Sequence, residues 1–328
     1  MGRKLKGKIG SKGLKGSLLR HQALEQSKKK TKSKQEHALH KNQPTKASLE
    51  SRASQREAAG KLIPFEKDST LLLVGEGDFS FSRAIIMQDY IKAKNLIVTS
   101  FDASVSELNL KYPHSFPENY EFLVQNGVKI LFRIDATNLL KSFKLSKKTT
   151  WPKVVGAEWA IKKVENIMFN FPHTGKGIKD QDKNIRDHQE LVAGFLASSK
   201  LFFKNVNRIP LSGSAQTYTQ GYDLDEKKAN DKVTADGYGN VLLTVFTGEP
   251  YDSWQLKSLA KTTGWKVERS SKFQWENYPE YAHKRTNSEQ DTTKPALDRD
   301  ARTYTFEIYD KTKHSKAGKL QKLESDEE

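Results

Sequence analysis

From Leu62 onward the chain alternates short, nearly uninterrupted apolar runs with longer mixed stretches, whereas before that point it does neither. The apolar runs lie at 70–74, 95–101, 129–134, 166–171, 239–246, 265–269 and 303–309. Most lack polar alternation, which suits strands covered on both faces, as in a parallel sheet. Helix-like segments fall between them at 80–93, 104–112, 184–203 and 253–263, the last two long enough to cover a sheet. Strand and helix in alternation predict an α/β fold with a mostly parallel, doubly wound sheet and helices on both faces.

Charge divides the chain where hydropathy does. The whole carries a net +16, and residues 1–60 hold 16 Lys or Arg against four acids, so +12 lies in less than a fifth of the length. Scattered Gly and Lys cannot bury a core, and 1–60 is expected to be a disordered arm that meets a polyanion. Lys4, Lys6, Lys8, Lys12, Lys15 and Arg20 are its candidate RNA contacts, with a nuclear-import tail as the plainer alternative. Residues 61–310 form the folded domain, and 311–328 a charged tail. No residue is Cys, which excludes disulfides, thiolate metal sites and cysteine nucleophiles. No metal is called for. No apolar run approaches the roughly 20 residues of a membrane span, and no apolar segment follows the basic N-terminus, so neither a span nor a secretory signal is expected.

The first strand runs into "LLLVGEGDFSFS", the first strand-to-helix turn, where ligands of open parallel sheets sit. Gly75 and Gly77 let the backbone turn sharply and approach a ligand, and Asp78 or Ser80 can cap the next helix. Ser80 stands where a dinucleotide fingerprint needs its third glycine. Glu76 inside the turn would repel a pyrophosphate but suits a cationic amino group, which favours S-adenosylmethionine over a dinucleotide. Asp102 and Asp135 end the next two strands, placed to accept from ribose hydroxyls and from an adenine amino group. Either aspartate alone is as readily a helix cap; three acids at three successive strand ends make the joint reading the stronger. The fourth strand ends in "NFPHTGKG", with Asn170, Pro172, His173 and Lys176 at the carboxyl end of the sheet. This is similar to the Asn-Pro-Pro-aromatic loop of nitrogen methyltransferases. Whether His173 stacks on a base, takes its proton or fills the loop is open on this pattern.

The strings "GEGDFSF", "NFPHTGKGIKDQ", "YTQGYDL", "GEPYDSWQ", "SSKFQWENYP" and "RTNSEQDTTKPA", with "RKLKGKIGSKGLKG" in the arm, resemble the fungal large-subunit ribosomal RNA uridine-N3 methyltransferases. The resemblance implies a seven-stranded class I, Rossmann-like methyltransferase domain, S-adenosylmethionine as donor, large-subunit ribosomal RNA or a pre-ribosomal particle as partner, and the nucleolus as workplace. It places the cofactor motif on Gly75, Glu76, Gly77, Asp78, Phe79, Ser80 and Phe81. Residues 137–165 and 200–216 carry no clear resemblance. Monomer is the default state.

Uridine N3 carries a proton and is a poor nucleophile until that proton leaves, so a base or an anion-stabilising environment is needed. His173 is the leading candidate base, and Lys176 a partner for charge on a uracil carbonyl. N3 lies on the pairing edge, so the target base must leave its stack and be held, typically by aromatic rings. The segment 270–302 offers Trp275 for stacking and Lys272, Lys284 and Arg285 for phosphates. The plainer reading is a crossover whose aromatics pack into the domain. Two rival functions stand beside catalysis. One is an NAD-dependent oxidoreductase; the other is a pre-ribosomal assembly factor with the fold but no reaction.

Overall fold

The computed structural model describes residues 62–207, 233–234, 236–290 and 295–309. The expectations placed on residues 1–60, on "YTQGYDL" and on residues 311–328 lie outside these, as do Lys4, Lys6, Lys8, Lys12, Lys15 and Arg20. A compact unit begins at Ile63. Its seven strands are β1 Leu71–Val74, β2 Leu96–Thr99, β3 Lys129–Leu131, β4 Asn166–Asn170, β5 Asn240–Phe246, β6 Trp265–Lys272 and β7 Ala301–Ile308. They form one sheet in the order β3-β2-β1-β4-β5-β7-β6. β1 to β5 are mutually parallel, and β7 inserts antiparallel between β5 and β6. This is the Rossmann-like methyltransferase arrangement. The strand order reverses at β1 and β4, so the carboxyl ends of those two strands flank the crevice where a ligand enters such a sheet.

The helices are α1 Ser80–Met87, α2 Val105–Lys111, α3 Phe116–Gln125, α4 Leu139–Ser142, α5 Trp151–Val155, α6 Gln181–Val206 and α7 Leu256–Thr263. Successive residues of β1 feed opposite cores: Leu72 and Val74 meet Val192, Phe195 and Phe202 of α6, while Leu71 and Leu73 meet Ile85, Phe116 and Tyr112. Burial on both faces is why the strands read as unbroken apolar runs.

Several helix boundaries differ from the sequence expectation, among them the end of α6 at Val206 instead of 203 and the start of α7 at Leu256 instead of 253. α1 stops at Met87, before the expected 93, because Asp89 takes a left-handed backbone (φ 56). α6 starts earlier than 184 because the Asp180 side chain accepts from Lys183 N at 2.7 Å, a regular N-cap. α3 was not anticipated. Its Phe116, Asn119 and Leu123 point inward at helical spacing, and Pro117 sits where the first turn tolerates it.

Candidate active site

The ends of β1 to β5 open onto one cleft of about 1380 Å³. On its donor side Gly75 adopts φ +72, and a Cβ there would lie 2.5 Å from the Phe169 ring, so no other residue fits. Glu76 N donates to Thr99 O at 2.9 Å, which ties the turn to β2. The Glu76 carboxylate tucks beneath α1, where Oε2 accepts from Ser82 Oγ (2.7 Å) and Ser82 N (3.2 Å). Asp78 Oδ1 accepts from Ser80 Oγ (2.7 Å) and Ser80 N (3.1 Å).

Both acids are buried in the cleft wall, and neither has an ion-pair partner among the described residues. Loss of water pushes the Glu76 carboxyl up to about 7, against the hydrogen bonds from Ser82, and the nearby Asp78 charge adds to the rise. Burial raises Asp78 as well. Two desolvated carboxylates in one turn form a socket that a cationic group would relieve.

The seven residues of the motif divide by role. Gly75, Glu76, Gly77 and Asp78 line the cleft; Phe79, Ser80 and Phe81 do not. Phe79 packs on Phe116 at 5.2 Å and Phe81 on Tyr278 at 5.0 Å, both rings fully buried. Direct contact with a cofactor is therefore corrected for these three: they hold the turn from behind. The left-handed backbone of Phe79 (φ 64) turns the chain into α1.

Asp102 and Asp135 reach the same cleft. Asp102 pairs with Lys111, which also meets Glu107 at 3.4 Å, and Asp102 Oδ2 accepts from Ser100 Oγ at 3.2 Å. Asp135 Oδ1 accepts from Thr137 N (2.8 Å) and Thr137 Oγ1 (2.7 Å). Asp135 is thus a cap and a cleft residue at once. A carboxylate socket for a cation, two further carboxylates and glycine backbone along one wall fit an amino-acid-bearing nucleoside such as S-adenosylmethionine.

The acceptor side is built on the loop after β4. Phe171 is left-handed (φ 47) and its N–H donates to Thr244 O at 2.8 Å. Its ring stacks on Trp275 (5.5 Å, 10°) and contacts Phe246 (4.5 Å). Asn170, just before this bend, lines the cleft with both side-chain polar atoms buried and without a hydrogen-bond partner. Pro172 is buried and His173 exposed. His173 Nδ1 accepts from Gly175 N at 2.9 Å, so the neutral ring carries its proton on Nε2. Loss of water around the ring, then the His188 ring 4.9 Å away, presses His173 below the ordinary imidazole range. Lys176 is ion-paired with Asp187 of α6.

Lys284 and Arg285 line the cleft, whereas Trp275 and Lys272 do not. Trp275 stacks on Phe171 and on Tyr281 (5.7 Å, 11°), and its Nε1 donates to Arg299 O at 3.2 Å. Lys272 pairs with Asp300 at 2.7 Å. Trp275 is therefore corrected: it packs behind the acceptor loop, because β7 must run between β5 and β6 and the crossover folds against that corner, while Lys272 is exposed outside the cleft and its contact with phosphate stays a proposal.

Three features escaped the sequence reading. Tyr112 donates to Arg285 O (2.9 Å) and Thr286 O (3.0 Å), Ala282 N donates to Ser80 Oγ (3.3 Å), and Asn287 Nδ2 donates to Gly175 O (3.1 Å). Residues 282–288 thus strap the donor turn to the acceptor loop. Glu289 anchors the strap's end by accepting from His114 N and Ser115 N. Arg299 is the third: it lines the cleft with its guanidinium over the Phe246 ring at 3.5 Å. These contacts join residues up to 202 positions apart, and no local signal reveals them. Tyr112→Phe should cost about 1 kcal/mol of stability, since the two strap carbonyls are exposed and rehydrate. It should also speed tryptic cleavage at Lys284 and Arg285; unchanged cleavage would mean the strap holds without Tyr112.

Comparison with known proteins follows the same division. Residues 72–285 match the family model described as BMT5-like, rRNA (uridine-N3-)-methyltransferase. The chain is 53% identical over 329 residues to the 25S rRNA (uridine(2634)-N(3))-methyltransferase of Saccharomyces cerevisiae, covering 97% of this chain and 98% of that one. An uncharacterised Arabidopsis thaliana protein is 29% identical over 218 residues, 66% of this chain and 81% of that one. Among solved structures, the ribosomal protein L11 methylase of Lactobacillus delbrueckii subsp. bulgaricus is similar with a TM-score of 0.32 and 10% identity, over 75% of this chain and 73% of that one. A likeness that weak carries no argument about this site.

Proposed function

Because the chain belongs to the BMT5-like rRNA (uridine-N3-)-methyltransferase family, we propose that it methylates N3 of a uridine in large-subunit ribosomal RNA, with S-adenosylmethionine as donor. On this reading it works in the nucleus, at the nucleolus. The observation that carries the reading is Asn170, a buried amide with both side-chain polar atoms unpaired, lining a cleft that also holds two buried carboxylates without an ion-pair partner among the described residues, one of them, Asp78, with Oδ2 unsatisfied. A scaffold without a reaction has no use for either, because each orphaned polar group costs stability until a ligand satisfies it.

When bound, S-adenosylmethionine supplies an electrophilic methyl on a sulfonium. Glu76 and Asp78 would hold its amino group, Asp102 its ribose hydroxyls, Asp135 its base, and the backbone of Gly75 and Gly77 would line it. Asn170 orients the acceptor base so that N3 faces the donor pocket, and alignment of this kind supplies much of an enzyme's rate.

His173 serves this reading as a hydrogen-bond donor. Its Nδ1 is occupied by the Gly175 N–H, so the proton it presents sits on Nε2, and it would stabilise charge on a uracil carbonyl as N3 gives its proton to solvent water. The lowered pKa keeps the ring neutral at pH 7. Lys176, already paired with Asp187, adds positive charge at the rim. His173→Gln, which retains an N–H donor, is expected to keep the rate within about tenfold, whereas His173→Ala should lose about a hundredfold. If both variants lost activity equally, His173 would be the proton acceptor instead.

The reading is tested by incubating the protein with S-adenosylmethionine and unmodified large-subunit ribosomal RNA, digesting the RNA to nucleosides and identifying the product by mass spectrometry. N3-methyluridine is expected. Saturable donor binding with no methylated nucleoside, on free RNA and on pre-ribosomal particles alike, would turn the reading to the assembly factor.

A further inference from the structure

The cleft that receives the base is a poor place to hold the RNA backbone. Its walls carry seven carboxylates against five Lys or Arg, and two of those bases, Lys111 and Lys176, are already paired. Phosphates must be gripped elsewhere on the folded domain. The connection from β3 to β4 supplies a surface of the opposite character. Between residues 139 and 157 it contains five lysines and no acid: Lys141, Lys144, Lys147, Lys148 and Lys153. All five are exposed, and none is in an ion pair among the described residues.

This segment is a built element. α4 and α5 are joined by a turn in which Ser146 Oγ accepts from Lys148 N (3.3 Å) and Thr149 N (3.1 Å), and Lys153 Nζ donates to Lys148 O (2.9 Å). Beneath it Trp151 packs edge-on against Phe143 (5.1 Å), Phe202 of α6 (5.0 Å) and Trp159 (6.4 Å). Leu139 N donates to the buried Ser198 Oγ at 2.7 Å and clamps the segment to α6. The aromatic footing faces inward and the lysines face solvent. The segment also departs from the cleft rim itself, since Asp135, Ala136 and Thr137 line the cleft immediately before α4 begins. Its footings on α6, Ser198 and Phe202, lie seven and eleven residues past Leu191 on the cleft wall, about 10 to 17 Å down the helix, so the chain flanking a base in the cleft reaches it over a few nucleotides.

We propose that this lysine-bearing insert is a phosphate-binding surface that grips the RNA backbone flanking the target uridine. The inference rests on the RNA-methylating function proposed above. Five uncompensated ammonium groups on a fixed scaffold release counterions when they meet phosphates, and each contact steepens the salt dependence of binding by about 0.7 to 0.9 in a logarithmic plot. Lysine suits this role as a mobile point charge that follows a backbone without reading sequence.

The test uses the full chain with Lys144, Lys147, Lys148 and Lys153 changed together to Gln. A second variant, Lys257→Gln with Lys261→Gln on α7, measures the effect of lost net charge alone. Binding to a transcript of large-subunit ribosomal RNA is titrated between 50 and 300 mM salt, with S-adenosylmethionine affinity and methyl transfer at saturating RNA measured on the same samples. The insert variant should bind the transcript at least tenfold more weakly, with its salt slope reduced by about 2 to 3. Donor affinity and transfer at saturation should stay unchanged, and the α7 variant should behave nearly as wild type. An insert variant matching wild type in affinity and slope overturns the surface while leaving the enzyme intact. Equal loss per charge in both variants overturns it too, in favour of a diffuse field. Wild-type protein that neither binds nor methylates the transcript overturns the functional reading instead.

Discussion

Asn170→Leu is expected to reduce methyl transfer at least a hundredfold while leaving the protein as stable as before, or more so. Both polar atoms of the side chain are buried and unpaired in the ligand-free fold, and each such group costs about 1 to 3 kcal/mol of desolvation until something pairs it. Leucine fills a similar volume without that cost, so thermal unfolding should move up by the equivalent of about 1 to 2 kcal/mol. The rate should move the other way, because the amide can fix an acceptor base by two hydrogen bonds, and loss of a positioning contact costs about two orders of magnitude. Single-turnover transfer at saturating RNA and donor, beside calorimetric unfolding, reads both. A variant that unfolds early would show that the amide is satisfied within the fold; one that transfers normally would remove Asn170 from the reaction.

The second large effect is pH-dependent. Glu76 is held near pKa 7 in the fold against 4.5 for the free side chain. A carboxyl raised in this way stabilises the ligand-free protein fully below about pH 4.5, and that contribution is lost as pH rises to about 7, worth about 3 kcal/mol in total. Glu76→Gln keeps an oxygen for Ser82 but cannot ionise. Its stability advantage over wild type should be absent at pH 4, grow through pH 6 and level off at about 2 to 3 kcal/mol by pH 8. Donor binding should show the complementary loss. Wild-type affinity for S-adenosylmethionine should strengthen from pH 6 to 8 as the carboxylate ionises to receive the amino group, and the variant should bind at least tenfold more weakly at pH 8 with little pH dependence. Urea titrations and calorimetry across this range make the comparison. Parallel stability curves for the two proteins would mean that Glu76 titrates alike in the folded and unfolded chain, and tight binding by the variant would mean that the amino group lies elsewhere.

The two residues also show where a sequence stops informing. Glu76 announces itself as a carboxylate inside a glycine turn, but its bond to Ser82 and its raised pKa arise only because α1 closes over it. Asn170 is legible as the last residue of a strand before Pro172 and His173, yet its lack of partners depends on the left-handed bend at Phe171, which swings the next ring into Trp275 and Tyr281. α6 begins before its expected start because a single cap residue, Asp180, decided it, and α3 hid behind a proline that helix first turns accept.

What the chain determined locally is the alternation of strands and helices, the turn after β1, the acids closing β1 to β3 and the loop closing β4, because unbroken apolar runs and glycine turns act over a few residues. Tertiary structure alone decided that Phe79 and Phe81 serve the core, that Trp275 stacks behind the acceptor loop, that Tyr112 ties down a strap 174 residues away, and that Lys176 is paired while the lysines of the β3–β4 insert are not. Side-chain partners depend on which distant elements pack together, and that choice is made by the whole buried surface, beyond the reach of any short pattern.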